Sequence, residues 1–196
     1  MPNHITMRKY FLILYLVAIC TGASAQKVTL NERDEKGIRN IETGMRAFYV
    51  DHHMNACQLG YTENKGEGYF VFTISFSDQA SRWKALSGQE LMMKDAKGSI
   101  TTIKSMGISS STIANNTQGN GASYMCSVRY FLTKEQAQVF RDGLTKLRVN
   151  ITYDKTGAES LFDVDIPADL TKYLTKAVSN IDKTIPTPVW TDKSVF

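Results

Sequence analysis

Apolar and polar side chains take turns along much of this chain. In "YFVFTISFS" (69–77), Phe70, Phe72, Ile74 and Phe76 fall on one side and Val71, Thr73 and Ser75 on the other. "KLRVNITYD" (146–154) alternates Leu147, Val149, Ile151 and Tyr153 against Arg148, Asn150 and Thr152. "SYMCSVRYFL" (123–132) can bury Tyr124, Cys126, Val128 and Tyr130 while Arg129 points away. A period of two marks strands with one buried face, because successive side chains leave opposite sides of the pleat.

Shorter stretches extend the pattern. "IRNIET" (38–43) and the region 47–61 read as strands, and "ELMMK" (90–94) and "SITTIKSM" (99–106) flank "DAKG", a hairpin turn. "ENKGEG" and "DKTG" punctuate the chain in the same way. The expected fold is a mainly β domain: an antiparallel sandwich of about eight short strands with two or three packed short helices. An α+β arrangement is the alternative.

Two stretches change period. Thr133-Lys134-Glu135-Gln136 has the form of a capping box, followed by Ala137, Phe140 and Leu144 on one face and a stop at Gly143. A second helix begins near Pro167, with Leu170, Leu174, Ala177, Val178 and Ile181 as its apolar stripe. A third, shorter helical turn is expected through "SDQASRWKAL" (77–86), placing Trp83 under a loop. Residues 107–121, polar and turn-rich, are expected to form an exposed loop.

The N-terminus follows a different logic. Arg8 and Lys9 precede the apolar run "YFLILYLVAIC", and Ala23-Ser24-Ala25 supplies an A-x-A site. These are the three regions of a secretory signal peptide cut before Gln26. Lipidation at Cys20 competes, although Ile19 is larger than the residue that usually precedes a lipidated cysteine. The expected destination is the periplasm, cell surface or exterior of a Gram-negative bacterium. Removing residues 1–25 of 196 leaves 171, which suits one domain over 26–182 and a C-terminal tail over 183–196.

The whole chain has 23 Lys and Arg against 19 Asp and Glu. Two of those bases leave with the signal. So mild a balance argues for no nucleic-acid partner, and no transmembrane segment is expected in the mature chain. Cys57 and Cys126 remain after cleavage; an even pair in an oxidising compartment permits one disulfide, and two free buried thiols are the alternative.

Candidate chemistry is sparse. "YVDHHMNAC" (49–57) gathers Asp51, His52, His53 and Cys57, all groups that bind metals or move protons. Adjacent histidines on a strand point to opposite faces, so a polar bend between strands is the expectation and no metal or cofactor is assigned. Asp163 and Asp165 share one face of a strand whose other face carries Phe162, Val164 and Ile166, as the solvent side of a half-buried strand should. Tyr49, Tyr61, Trp83 and Trp190 are conceivable sugar-stacking rings.

Three stretches, "GIRNIETG" (37–44), "SGQELMMKDAKGSI" (87–100) and "YFLTKEQAQVFRDGLTKLRV" (130–149), together resemble small secreted β-rich proteins of Gram-negative bacteria. The resemblance spans roughly 37–180 and implies the strand, capped helix and strand of its last stretch. It brings no catalytic or ligand residue with it. The expected function is therefore a secreted, non-catalytic binding or envelope-associated domain with a protein or carbohydrate ligand. The alternative is a hydrolase assembled from dispersed His and Asp residues around His52 or the Asp163/Asp165 pair.

The export assignment has a direct check. Intact-mass analysis of the protein secreted by a Gram-negative host should give a chain starting at Gln26; a lipid-modified chain starting at Cys20 would contradict it.

Overall fold

The computed structural model describes residues 27–50, 53–78, 83–105, 109–114, 123–153 and 155–185. Within them lie two antiparallel sheets and two helices, so the mainly β expectation holds. Twelve strands are present among the described residues, more than the eight expected. They are β1 (Val28–Arg33), β2 (Arg39–Thr43), β3 (Arg46–Val50), β4 (His53–Asn64), β5 (Glu67–Asp78) and β6 (Trp83–Ala85). The rest are β7 (Glu90–Asp95), β8 (Ile100–Lys104), β9 (Ser109–Ala114), β10 (Ser123–Leu132), β11 (Leu144–Tyr153) and β12 (Glu159–Asp165).

The first sheet runs β1-β2-β4-β5-β10-β9, with β3 beside the first half of β4. In the second, β11 is the hub: β12 lies along one edge, and β7 and then β6 along the other. β8 extends β7, and β9 pairs with both β10 and β6, joining the two sheets.

Register explains the core. Leu59, Phe72 and Tyr130 sit abreast on β4, β5 and β10, with Cys57, Ile74 and Val128 in the next row. All six are buried, as alternation predicts for β5 and β10. From the opposite sheet come Leu91, Met93, Leu147, Val149, Ile151 and Val164, also buried. Phe76 meets Phe162 of β12 edge to face at 5.6 Å between ring centroids, tying the two layers together.

The helices fill one end of the sandwich. The capping box forms reciprocally: the Thr133 N–H donates to Gln136 Oε1 at 2.9 Å and the Gln136 N–H to Thr133 Oγ1 at 3.2 Å. The box leads through a turn into the short α1 (Gln138–Arg141), ended at Gly143, whose φ of 89° suits a residue without Cβ. α2 (Ala168–Thr184) starts behind Pro167 and buries its expected stripe together with Tyr173. Arg141 holds Asp182 through two hydrogen bonds of 2.9 and 2.8 Å, and Thr175 Oγ1 donates to the Phe140 carbonyl, so the two helices are cross-braced.

Three expectations need correction. Residues 83–85 form strand β6 rather than part of a helical turn, because Trp83 and Lys84 pair with Tyr153 and Thr152. The expected loop over 107–121 contains strand β9, whose backbone pairs on both edges. Third, Cys57 and Cys126 form no disulfide. They face Ile74 and Phe76 from opposite sides of β5, so a whole strand separates them. Two strand spacings amount to about 10 Å, beyond the reach of a disulfide.

One irregularity matters more than these. On β2 and β4, Glu42 faces Gly60; on β3 and β4, Arg46 faces Cys57. Four steps along one strand thus match three along the other. β2 and β3 are a single long strand interrupted by one extra residue at Thr43–Met45, a β-bulge. Side chains satisfy the carbonyls it frees: Gln58 Nε2 donates to the Thr43 carbonyl at 2.8 Å, and the Tyr173 hydroxyl donates to that of Gly44. Thr43 Oγ1 donates to the Leu59 carbonyl at 2.7 Å, and Tyr173 Oη lies 3.3 Å from it.

Two buried tyrosines should therefore respond oppositely to loss of their hydroxyls. Tyr173→Phe strands the Gly44 carbonyl and should lower unfolding stability by about 1–2 kcal/mol. Tyr130 is wholly buried, yet its hydroxyl has no partner among the described residues. Tyr130→Phe should leave stability unchanged or raise it. Urea denaturation of the two variants checks both signs.

Candidate functional site

The bulge and one glycine shape the outer face of the first sheet. Gly60 sits mid-strand on β4, where an added Cβ would come within 2.9 Å of the Ile41 carbonyl oxygen. Any larger residue would push β2 away, and the missing side chain leaves a depression. Its volume is about 170 Å³. Val71, Thr73 and Phe131 of β5 and β10, all half-buried, form the floor; Asn40, Glu42, Gln58, Thr62 and Arg129 form the rim.

The rim is partly pre-ordered. Thr62 Oγ1 donates to Asn40 Oδ1 at 3.1 Å, and Gln58 Nε2 lies within bonding distance of both Glu42 Oε2 (3.3 Å) and the Thr43 carbonyl. Arg129 stands exposed opposite Thr73 and makes no ion pair among the described residues. β2, β4 and β5 are each paired on both edges in this region and β10 pairs with β5, so most of the backbone here is already engaged. Recognition here falls to side chains: amides, hydroxyls, a carboxylate and a guanidinium around an apolar floor.

Among the described residues, those singled out from sequence do not gather. Asp51 and His52 lie outside the described residues, and His53 enters as the first backbone position of β4, paired with Val50. Trp83 opens β6, and Trp190 lies outside the described residues. Cys57 is buried in the first sheet, and burial pushes its thiol up to about 12, so it is neither thiolate nor nucleophile near neutrality. Tyr61 packs edge to face on Phe70 as part of the core margin, while Tyr49 is exposed on β3.

Asp163 and Asp165 do share a face, as expected, and that face looks outward from the second sheet. Arg148 grips Asp163 with two hydrogen bonds of 2.6 and 2.7 Å, and Lys146 Nζ lies 3.0 Å from Asp165. Those bonds from Arg148 hold the Asp163 carboxyl below the usual carboxylate range. A carboxylate so occupied is a poor general base or acid near neutral pH. No group of three or more His, Cys, Asp and Glu side chains that could hold a metal occurs among the described residues.

Sequence reasoning missed the depression itself. Its one signal was Gly60, a glycine inside "NACQLGYTEN", where a strand otherwise loses packing by carrying one. No family model matches the chain, and neither a curated protein nor a solved structure matches it.

Because the folded-state carboxyl of Asp163 is depressed, its contribution to stability is complete above about pH 4, the ordinary carboxylate value. It is lost as pH falls through the lower folded value. Asp163→Asn should remove that part of the acid sensitivity while barely moving the urea midpoint at pH 7, since the pair is exposed. A large midpoint change at neutral pH would contradict this structural assignment.

Proposed function

We propose that this protein is an exported, non-catalytic binding domain that holds a carbohydrate in the depression on its first sheet. The observation that carries the proposal is an apolar floor ringed by side-chain donors and acceptors. A pyranose ring has one apolar face and a fringe of hydroxyls. Val71 and Phe131 complement the face, while Asn40, Gln58, Thr62, Thr73 and Arg129 complement the fringe. The volume is of the order of one sugar unit, so the natural ligand is the end or one residue of a longer glycan. An extended peptide is the poorer fit, since it recognises sheets through free backbone groups, and β2, β4 and β5 have both edges paired around the depression.

Export rests on the basic, apolar and A-x-A regions of residues 8–25. No helix of the described residues is long and apolar enough to cross a membrane. The hydrolase alternative loses its acid pair, because Asp163 and Asp165 are engaged with Arg148 and Lys146.

Titrating ¹⁵N-labelled protein with a panel of bacterial surface and host glycans tests the proposal. At least one glycan should move the amide resonances of Gly60, Thr62, Thr73 and Arg129 together, and Arg129→Ala should weaken it about tenfold, the equivalent of one lost charged hydrogen bond. Shifts centred elsewhere, or turnover of a glycan during the titration, would overturn it.

A further inference from the structure

The β2–β3 strand is covered along only half of its outer edge. β1 pairs with β2 from Arg39 to Thr43 and stops there, while β3 continues for five residues with β4 on its inner edge only. Among the described residues, nothing pairs with the outer edge of Arg46–Val50. Such a row of free N–H and C=O groups is a template for another strand unless charge, proline or cover blunts it.

Charge marks the open edges of β12, β1 and β8, and the stretch of β10 that β9 leaves unpaired carries Arg129. β12 carries Glu159, Asp163 and Asp165; β1 carries Glu32 and Arg33; β8 ends in Lys104. β3 reads Arg-Ala-Phe-Tyr-Val, and the guanidinium of its single charge lies 3.2 Å from Asp169 at the start of α2. Beside it, Met45 and Tyr49 hold large apolar side chains 58% and 67% exposed.

We infer that the β3 edge is a self-association surface whose occupant is β3 of a second copy of this chain. In an antiparallel pair centred on Phe48, Ala47 faces Tyr49 of the other copy and Arg46 faces Val50, so no like charges meet. The same operation on β12 would set Glu159 against Asp165, which opposes pairing there. Geometry favours a second copy over an unrelated strand. An incoming strand that runs on past Arg46 toward Thr43 collides with the end of β1. A two-fold copy brings its own β1 on its own far half, so the two open half-edges fill each other. The result joins the first sheets of two molecules into one, with both depressions on its outer surface.

Analytical ultracentrifugation of the chain from Gln26 tests this. Wild type should pass from monomer to dimer between about 1 and 200 µM, the range expected of so small an interface. Ala47→Lys with Tyr49→Lys, and separately Ala47→Glu with Tyr49→Glu, should each remain monomeric. An equimolar mixture of the two should dimerise, because Lys then faces Glu in both facing pairs. A wild-type monomer throughout, a dimer indifferent to both pairs of substitutions, or a mixture that stays monomeric would each overturn the inference.

Discussion

Everything in this molecule depends on the register of the long β4–β5 hairpin against its neighbours. With a side-chain period of two, a slip of one residue would carry Leu59, Phe72 and Tyr130 out of the interior and bring Gln58, Thr73 and Arg129 into it. The bulge at Thr43–Met45 is the one place on the β2–β3 strand where that period is broken. It allows Ile41 and Phe48, seven residues apart, both to lie in the core. A strict alternation would put two residues of odd separation on opposite faces. Tyr173 and Gln58 take up the carbonyls that the bulge releases.

The division of labour between the two outer faces follows from this. On the second sheet the exterior is a ladder of opposite charges, with Arg148 on Asp163, Lys146 on Asp165 and Lys104 near Glu90. Exposed pairs of this kind add little stability and chiefly keep the surface wet. The first sheet instead presents amides and hydroxyls around an apolar dip, with the carboxylate of Glu42 and the exposed guanidinium of Arg129 at its rim. Gln58 serves both fold and site, since the amide that ties down the bulge also lines the depression.

Much of the architecture was legible in the sequence. The alternation in 69–77, 123–132 and 146–154 marked β5, β10 and β11 and named their buried faces. Thr133 and Gln136 announced their reciprocal cap, and the stripe from Leu170 to Ile181 announced α2. What escaped had physical reasons. "SSSTIA" has no periodic apolar signal, and β9 exists because β10 and β6 present backbone to it on either side. β6 is three residues long, too short for any period to show. The bulge hid in "TGM", where one surplus residue leaves composition untouched. Spacing of Cys57 and Cys126 could not reveal that β5 lies between them. The depression depends on four strands that are remote in sequence, and only Gly60 hinted at it.

Nuclear Overhauser contacts across β3 and β4 put the bulged register to its most direct test. The bulged register should put Arg46 opposite Cys57 and Glu42 opposite Gly60. A contact pattern with Arg46 opposite Ala56 would mean an unbroken ladder. In that case Phe48 would turn outward, the carbonyls held by Tyr173 and Gln58 would return to the sheet, and the depression would not form.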